Sequence, residues 1–181
     1  MISGDVTQAA RIIKKGGVVA YATEYCFGLG CDPMNRAAVL RLLRMKRRPV
    51  RKGLIVLAAD VEQLAPYVDD IPPAVAGTWP GPHTWLLEPR AGVPGWLTGE
   101  HPRIAVRVTA HEQAAALCRA AGMAIVSTSA NRGGGKPIRS DREVARQFKD
   151  EVDVILSGQI GDAPSPTPIR DGVSGVLVRP G

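Results

Sequence analysis

Short apolar runs alternate along this chain with segments of helical period, and the joints carry glycine or a capping side chain. Asp5 to Lys15 places Val6, Ala9, Ala10 and Ile13 at helical spacing, and Gly16-Gly17 stops the helix before the strand-like run Val18-Val19-Ala20-Tyr21. Asn35 caps a second helix with Val39, Leu40, Leu42 and Leu43 on its apolar side. Leu54 to Ala58 reads as a short buried strand, and Asp60 caps another short helix. Thr84 to Leu87 and Ile104 to Val108 read as strands. Glu112 to Ala121 reads as a helix closed by Gly122 and followed by the strand Ala124-Ile125-Val126-Ser127. Ser140 and Glu143 form a capping-box pattern for a helix ending near Phe148, and Val152 to Leu156 and Val176 to Arg179 supply late strands. Such alternation requires an α/β fold, a largely parallel or mixed sheet covered by helices, with ligands bound where loops leave strand ends. Four loops qualify, beginning at Ala22, Lys52, Thr109 and Thr128.

A length of 181 residues, 45% hydrophobic and 22% charged, suits one compact domain over 1–181 with no internal repeat. No run of eighteen apolar residues occurs, and Met1-Ile2-Ser3-Gly4-Asp5 lacks the basic, apolar opening of a secretion signal, so a cytoplasmic protein without membrane contact is expected. Cys26, Cys31 and Cys118 form no CxxC pair, and His83, His101 and His111 have no ligand spacing. Neither a disulfide framework nor a protein-held metal is indicated. The net charge of +6 favours an anionic partner, nucleotide and nucleic acid alike.

Two apparent phosphate motifs fail on inspection. Gly28-Leu29-Gly30 has Pro33 where a dinucleotide loop needs its third glycine. Gly133-Gly134-Gly135-Lys136 is followed by Pro137 rather than the serine or threonine of a phosphate loop. The segment Arg44-Met45-Lys46-Arg47-Arg48-Pro49-Val50-Arg51-Lys52 is more informative, because it packs six cations into nine residues and Pro49 ends it as a helix. Two such charges about 4 Å apart repel by roughly 4 kcal/mol at an effective dielectric near 20, so the cluster points to a phosphate-bearing partner over a merely solvated helix end. Ser127-Thr128-Ser129-Ala130-Asn131 leaves a buried strand and offers hydroxyl and amide donors at a sheet edge for phosphate or carboxylate oxygens. Trp79-Pro80-Gly81-Pro82 is a rigid turn that packs Trp79 into the core. Thr23-Glu24 reads as a strand-end cap, and Cys26 and Cys31 as packing residues. No Ser-His-Asp or Cys-His arrangement emerges, which leaves catalysis by orientation and charge neutralisation.

Taken in order, Tyr21-Ala22-Thr23-Glu24 with Phe27-Gly28-Leu29-Gly30, Lys46-x-Arg48-Pro49, Trp79-Pro80-Gly81-Pro82-x-Thr84, Ala105-Val106-Arg107, Ser127-Thr128-Ser129-Ala130-Asn131 and Arg179-Pro180-Gly181 resemble the YrdC family of threonylcarbamoyl-AMP synthases, in its short bacterial form. The resemblance implies a twisted mixed parallel and antiparallel sheet with a concave basic surface, and an enzyme that joins L-threonine, bicarbonate or carbon dioxide, and ATP. It implies that Thr23, Arg107, Ser127 and Thr167 meet threonine, whereas Lys46, Arg48, Lys52, Ser129, Asn131 and Arg179 meet the nucleotide. Lys46, Arg48, Ser129 and Asn131 would be the catalytic set. Magnesium would arrive mainly on the nucleotide, and the product would pass to a separate transferase that modifies tRNA. Ala22, Gly53 and Thr109 stand where the family usually has proline, and Thr167 where it has serine. The alternative is a non-catalytic RNA-binding module using the same basic concavity, with only 4% aromatic residues for base stacking.

Overall fold

A computed structural model describes residues 1–148 and 150–181. In chain order the elements are β1 (Ile2–Ser3), α1 (Val6–Lys14), β2 (Val19–Ala22), β3 (Phe27–Gly30), α2 (Arg36–Lys46), β4 (Ile55–Ala58), α3 (Pro73–Ala76), β5 (Thr84–Leu87), α4 (Gly95–Thr98), β6 (Ile104–Val108), α5 (Glu112–Ala121), β7 (Ile125–Ser129), α6 (Asp141–Phe148), β8 (Val154–Leu156), β9 (Ile169–Asp171) and β10 (Leu177–Arg179). The strands form one ten-stranded sheet in the order β1-β8-β2-β3-β7-β4-β6-β5-β9-β10. Its pairing is mixed: β2 with β8, β4 with β6 and β5 with β9 are parallel, while β2 with β3, β3 with β7, β4 with β7 and β5 with β6 are antiparallel.

Strands β2 and β4 carry apolar or aromatic residues throughout, and their alternate side chains pack into two core clusters, one on each face of the sheet. Val19, Tyr21, Leu57, Ile125 and Val154 pack with α1 and α5. Their alternating neighbours Ala20, Val56, Val106 and Val126 pack with α2, α6 and the shorter helices. Local chemistry sets the helix ends. Asp5 accepts from the amides of Thr7 and Gln8, Asn35 accepts from Ala38, and Gly122 closes α5 in the left-handed region. The expected capping box at α6 is half made: the Glu143 amide donates to Ser140 Oγ, while the Glu143 carboxylate turns to Arg146.

Several expectations shift. The basic helix ends at Lys46, with Arg47 left-handed at φ 50°, before Pro49 is reached. Asp60 caps a 3-10 turn over Glu62–Leu64. The loop at Lys52 precedes β4 rather than leaving a strand, and Ser127 to Ser129 extend β7, a central strand rather than a sheet edge. Gly28-Leu29-Gly30 is itself strand, a reading the turn-forming reputation of glycine conceals. Among the described residues no helix is long and apolar enough to cross a membrane.

Gly30 has no spare volume: a Cβ there would stand 2.7 Å from the Val126 carbonyl and 2.9 Å from the Tyr21 ring. Gly30→Ala is expected to destabilise the fold by about 1–3 kcal/mol, the usual range for overpacking. Urea denaturation would check this, and an unchanged midpoint would mean that the strand yields freely.

Candidate active site

The sheet face carrying Tyr21 and Leu57 is covered by α1 and α5 over only part of its area. Where cover stops, alternate residues of the strands, Gly28, Ile55, Ala105, Arg107, Ser127 and Ser129, line a cavity of about 630 Å³. The turn between β2 and β3, the segment before β4, α4 and the C-terminal residues complete its walls. Leu54, Leu86, Leu97, Ile169 and Val178 supply an apolar side.

Arg48, Lys52, Arg103, Arg107 and Arg179 all line this cavity, against a single acidic side chain, Glu24. Glu24 is already committed. Its Oε1 accepts from Thr109 Oγ1 at 2.6 Å, and its Oε2 lies 3.3 Å from an Arg107 terminal nitrogen. Burial alone would raise the Glu24 carboxyl, but Arg107 and the Thr109 hydroxyl outweigh it and hold the group below its ordinary value. Arg103 is likewise bound to Asp171. Arg48 and Arg179 differ, since among the described residues neither meets a carboxylate. Arg48 donates to the carbonyls of Lys52 and Gly53, and Arg179 to that of Thr167. Burial lowers the pKa of each, and the next contribution is a like charge, Arg179 acting on Arg48 and Arg107 acting on Arg179. Guanidiniums that repel one another without a carboxylate partner make a receptor for an anion.

The hydroxyl groups are equally constrained. Thr23 Oγ1 donates to the Cys26 carbonyl at 2.7 Å, so toward a ligand it can act only as an acceptor. Thr167 Oγ1 accepts from Arg107 at 2.7 Å and lies 3.2 Å from Thr84 Oγ1, which fixes the placement of the threonine that replaces the family's serine. Ser129 Oγ donates to Asn131 Oδ1 at 2.6 Å, leaving the serine lone pairs and the cavity-lining Thr128 in reach of a ligand.

Lys46 is the departure from expectation. It is not at a solvated helix end but 4% exposed, and neither it nor Asn131 lines the cavity. Its ammonium donates to the Ser129 carbonyl and, at 2.8 Å, to the Asn131 carbonyl, with Asn131 Oδ1 at 3.4 Å. Burial and then the adjacent Arg48 bring its pKa down to about 8, so at neutral pH the proton is retained. Lys46 therefore fastens the loop behind Ser129 to the end of α2, a bond reinforced by the Gly133 amide on the Lys46 carbonyl.

Glu24, Thr84 and Thr109 belong to this constellation although sequence reasoning gave them no binding role. The cue available was position: Thr109 directly follows β6, and Glu24 follows β2 by two residues, in the turn that lines the cavity. No thiol is poised for attack. Burial pushes Cys26 up to about 11 and raises Cys31 and Cys118 as well. Among the described residues no three His, Cys, Asp or Glu side chains converge to hold a metal ion. Lys46→Glu would set a buried carboxylate against three oxygen acceptors. The expected loss is about 3 kcal/mol or more in unfolding free energy, and a melting temperature equal to that of the unmodified protein would refute the buried fastening.

Comparison with known proteins identifies the family to which this fold belongs. A family model, Sua5_yciO_yrdC, described as telomere recombination, matches residues 11–181. A threonylcarbamoyl-AMP synthase of Halorhodospira halophila is 51% identical over 178 residues, which cover 96% of this chain and 93% of that protein. One of Pseudomonas aeruginosa is 48% identical over 176 residues, 95% of each. Among solved structures, P. abyssi Sua5 complexed with L-threonine superposes with a TM-score of 0.90 at 33% identity. The match covers 97% of this chain but 54% of Sua5, so this chain spans about half of that protein. E. coli YciO gives a TM-score of 0.83 at 28% identity, covering 96% of this chain and 87% of YciO. With a family match over nearly its whole length and relatives at about half identity, the chain belongs to the Sua5/YciO/YrdC family.

Proposed function

We propose that this chain is an L-threonylcarbamoyladenylate synthase, an ATP-using nucleotidyltransferase that serves threonylcarbamoylation of tRNA. The observation that carries the reading is the cavity itself, where Arg48 and Arg179 face an open volume with no carboxylate partner of their own among the described residues, beside a floor of hydroxyls and without an activated nucleophile. The close relatives bear that activity in their names, and a fold neighbour carries L-threonine.

In the proposed sequence the neutral amine of threonine adds to carbon dioxide, derived from bicarbonate, and loses a proton to give N-carboxythreonine. The new carboxylate oxygen then bonds to the α-phosphorus of ATP as the bond to pyrophosphate breaks. Arg48, Lys52 and Arg179 bind and orient the phosphates and offset the charge that gathers on them, and Arg107 holds a carboxylate of the amino acid. Ser129 meets the nucleotide, with Lys46 and Asn131 holding it in place from behind. A magnesium ion, when bound, would supply further neutralisation and would be held mainly by the phosphates, since the one carboxylate of the cavity is committed to Arg107 and Thr109. A cytoplasmic setting and a separate tRNA transferase as recipient complete the proposal. The RNA-module alternative gains nothing from a concave, hydroxyl-floored cavity of this size.

Protein freed of RNA is expected to release pyrophosphate from ATP only when threonine and bicarbonate are both present, and no such dependence would sink the reading. Arg48→Glu should keep its melting temperature yet lose about 10²-fold or more in kcat/KM, because Arg48 is half-buried and bonded only to backbone oxygens. Near-normal turnover in the folded variant would remove Arg48 from the phosphates.

Selection of the amino acid gives a separate test. Serine lacks one methyl group and should be used roughly 10- to 200-fold less efficiently, whereas valine leaves a polar site unpaired and should fall by about 10⁴-fold. Thr23 Oγ1, with only acceptor capacity left, is the proposed partner of the substrate hydroxyl. Equal kcat/KM for serine and valine would show that the side chain is not read by a polar contact.

A further inference from the structure

Tyr21 is fully buried, yet its phenol oxygen reaches Ser127 Oγ at 2.8 Å. The two residues are not on neighbouring strands: Tyr21 lies on β2, Ser127 on β7, and β3 runs between them. The ring can cross β3 because the positions beneath it are Gly28 and Gly30. A Cβ on Gly28 would stand 3.4 Å from the ring, and one on Gly30 would stand 2.9 Å from it. Two glycines weaken a strand interior through lost packing and added chain entropy, so this crossing is maintained at some expense of stability. The Gly28-Leu29-Gly30 pattern, excluded above as a dinucleotide loop, thereby acquires a physical reason.

The direction of the bond follows from burial. Among the described residues Tyr21 has no second hydrogen-bond partner, so if its oxygen merely accepted from Ser127 the phenol proton would be buried unpaired. Tyr21 must donate, and the Ser127 proton is then left without an acceptor among the described residues. Ser127 lines the cavity. Its neighbour across β4 is Ile55, while Arg107 pairs with Leu57 on the other side of the same strand, which sets Ser127 and Arg107 diagonally on one sheet face.

We propose that Tyr21 is a positioning residue of the amino-acid subsite: by donating to Ser127 across β3, it leaves the serine proton to be given to the substrate carboxylate beside Arg107. The inference rests on the synthase reading, but binding of threonine can be measured apart from catalysis. Burial keeps the phenol neutral over the working pH range, so the donor is permanent.

The test is a double-mutant cycle on Tyr21→Phe, Ser127→Ala and the pair, read by calorimetric binding of threonine and by kcat/KM in pyrophosphate release. Ser127→Ala should weaken threonine binding about 10-fold or more, as for a hydrogen bond to a charged group. Tyr21→Phe should weaken it about 3- to 10-fold, and the double variant should be no worse than Ser127→Ala alone, because the phenol acts only through the serine. KM for ATP should stay within about twofold in all three, a split that general loosening of the fold would not produce. Unchanged threonine binding in Tyr21→Phe, or losses that multiply in the double variant, would overturn the proposal. So would a Tyr21→Phe chain without a melting transition, since the hydroxyl would then belong to the core. Unmodified protein that binds threonine but forms no adenylate would sink the synthase reading alone, while protein that fails to bind threonine would sink both.

Discussion

Arg48 and Arg179 stand 131 positions apart in the sequence yet come together in the cavity, with Arg107 beyond them, and each position is reached against like-charge repulsion. What holds them is backbone: carbonyls of Lys52, Gly53 and Thr167 take their protons, and these residues lie two or three positions before β4 and β9. A carbonyl dipole orients a guanidinium without cancelling its charge, whereas a carboxylate would do both. The site therefore keeps a positive field that a bound triphosphate would complete, and the sheet is the frame that makes such an arrangement tolerable. Arg107 is the contrasting case. Its pairing with Glu24 and Thr167 reduces the net charge while leaving the geometry rigid, which suits a group that reads a small carboxylate rather than a polyanion.

Rigidity also comes from the helix side. Lys46 and Met45, at the end of α2, are tied to the loop after β7 through the Lys46 ammonium and through Arg132, whose guanidinium reaches the Met45 carbonyl at 2.9 Å and stacks over Phe148. The loop from Ser129 to Gly135 is rich in glycine and would be mobile as a free segment. Fastened at both ends, it presents Ser129 with little freedom left to lose on binding, and preorganised donors act most strongly when they need no rearrangement.

Much of this was legible in the sequence because local chemistry and tertiary structure agree. Asp5, Asn35 and Gly122 do as caps what their side chains or backbone freedom suit them for, and the apolar runs became strands within a residue or two. Illegible parts arose where tertiary contacts overrode local habit. A lysine in a run of cations reads as solvated, and only the approach of β7 reveals three oxygens waiting for Lys46. Gly28 and Gly30 read only as a failed dinucleotide loop because no local rule says that an aromatic ring from the next strand will lie over them. Glu24 read as a cap because Arg107 and Thr109 stand 83 and 85 positions further along the chain and meet it only through the order of β2, β3, β7, β4 and β6.

That order also shows how one cavity could take the two unlike substrates of the proposed reaction. Strand β4 lies at the middle of the cavity floor, flanked by β7 and β6. On the β7 side stand the hydroxyls of Ser127 and Ser129, which suit partial charges and single oxygens. Farther along the sheet, β9 and β10 bring Thr167 and Arg179 back over the floor, so the C-terminal residues form a wall that the strands alone could not provide. An amino acid held between Thr23, Ser127 and Arg107 would then lie alongside a nucleotide held by Arg48 and Arg179. Transfer between two bound groups requires that adjacency more than any reactive side chain, because correct placement alone can be worth about 7–11 kcal/mol of barrier. The raised thiols and the absence of a serine–histidine pair among the described residues are consistent with a site that works by placement and field.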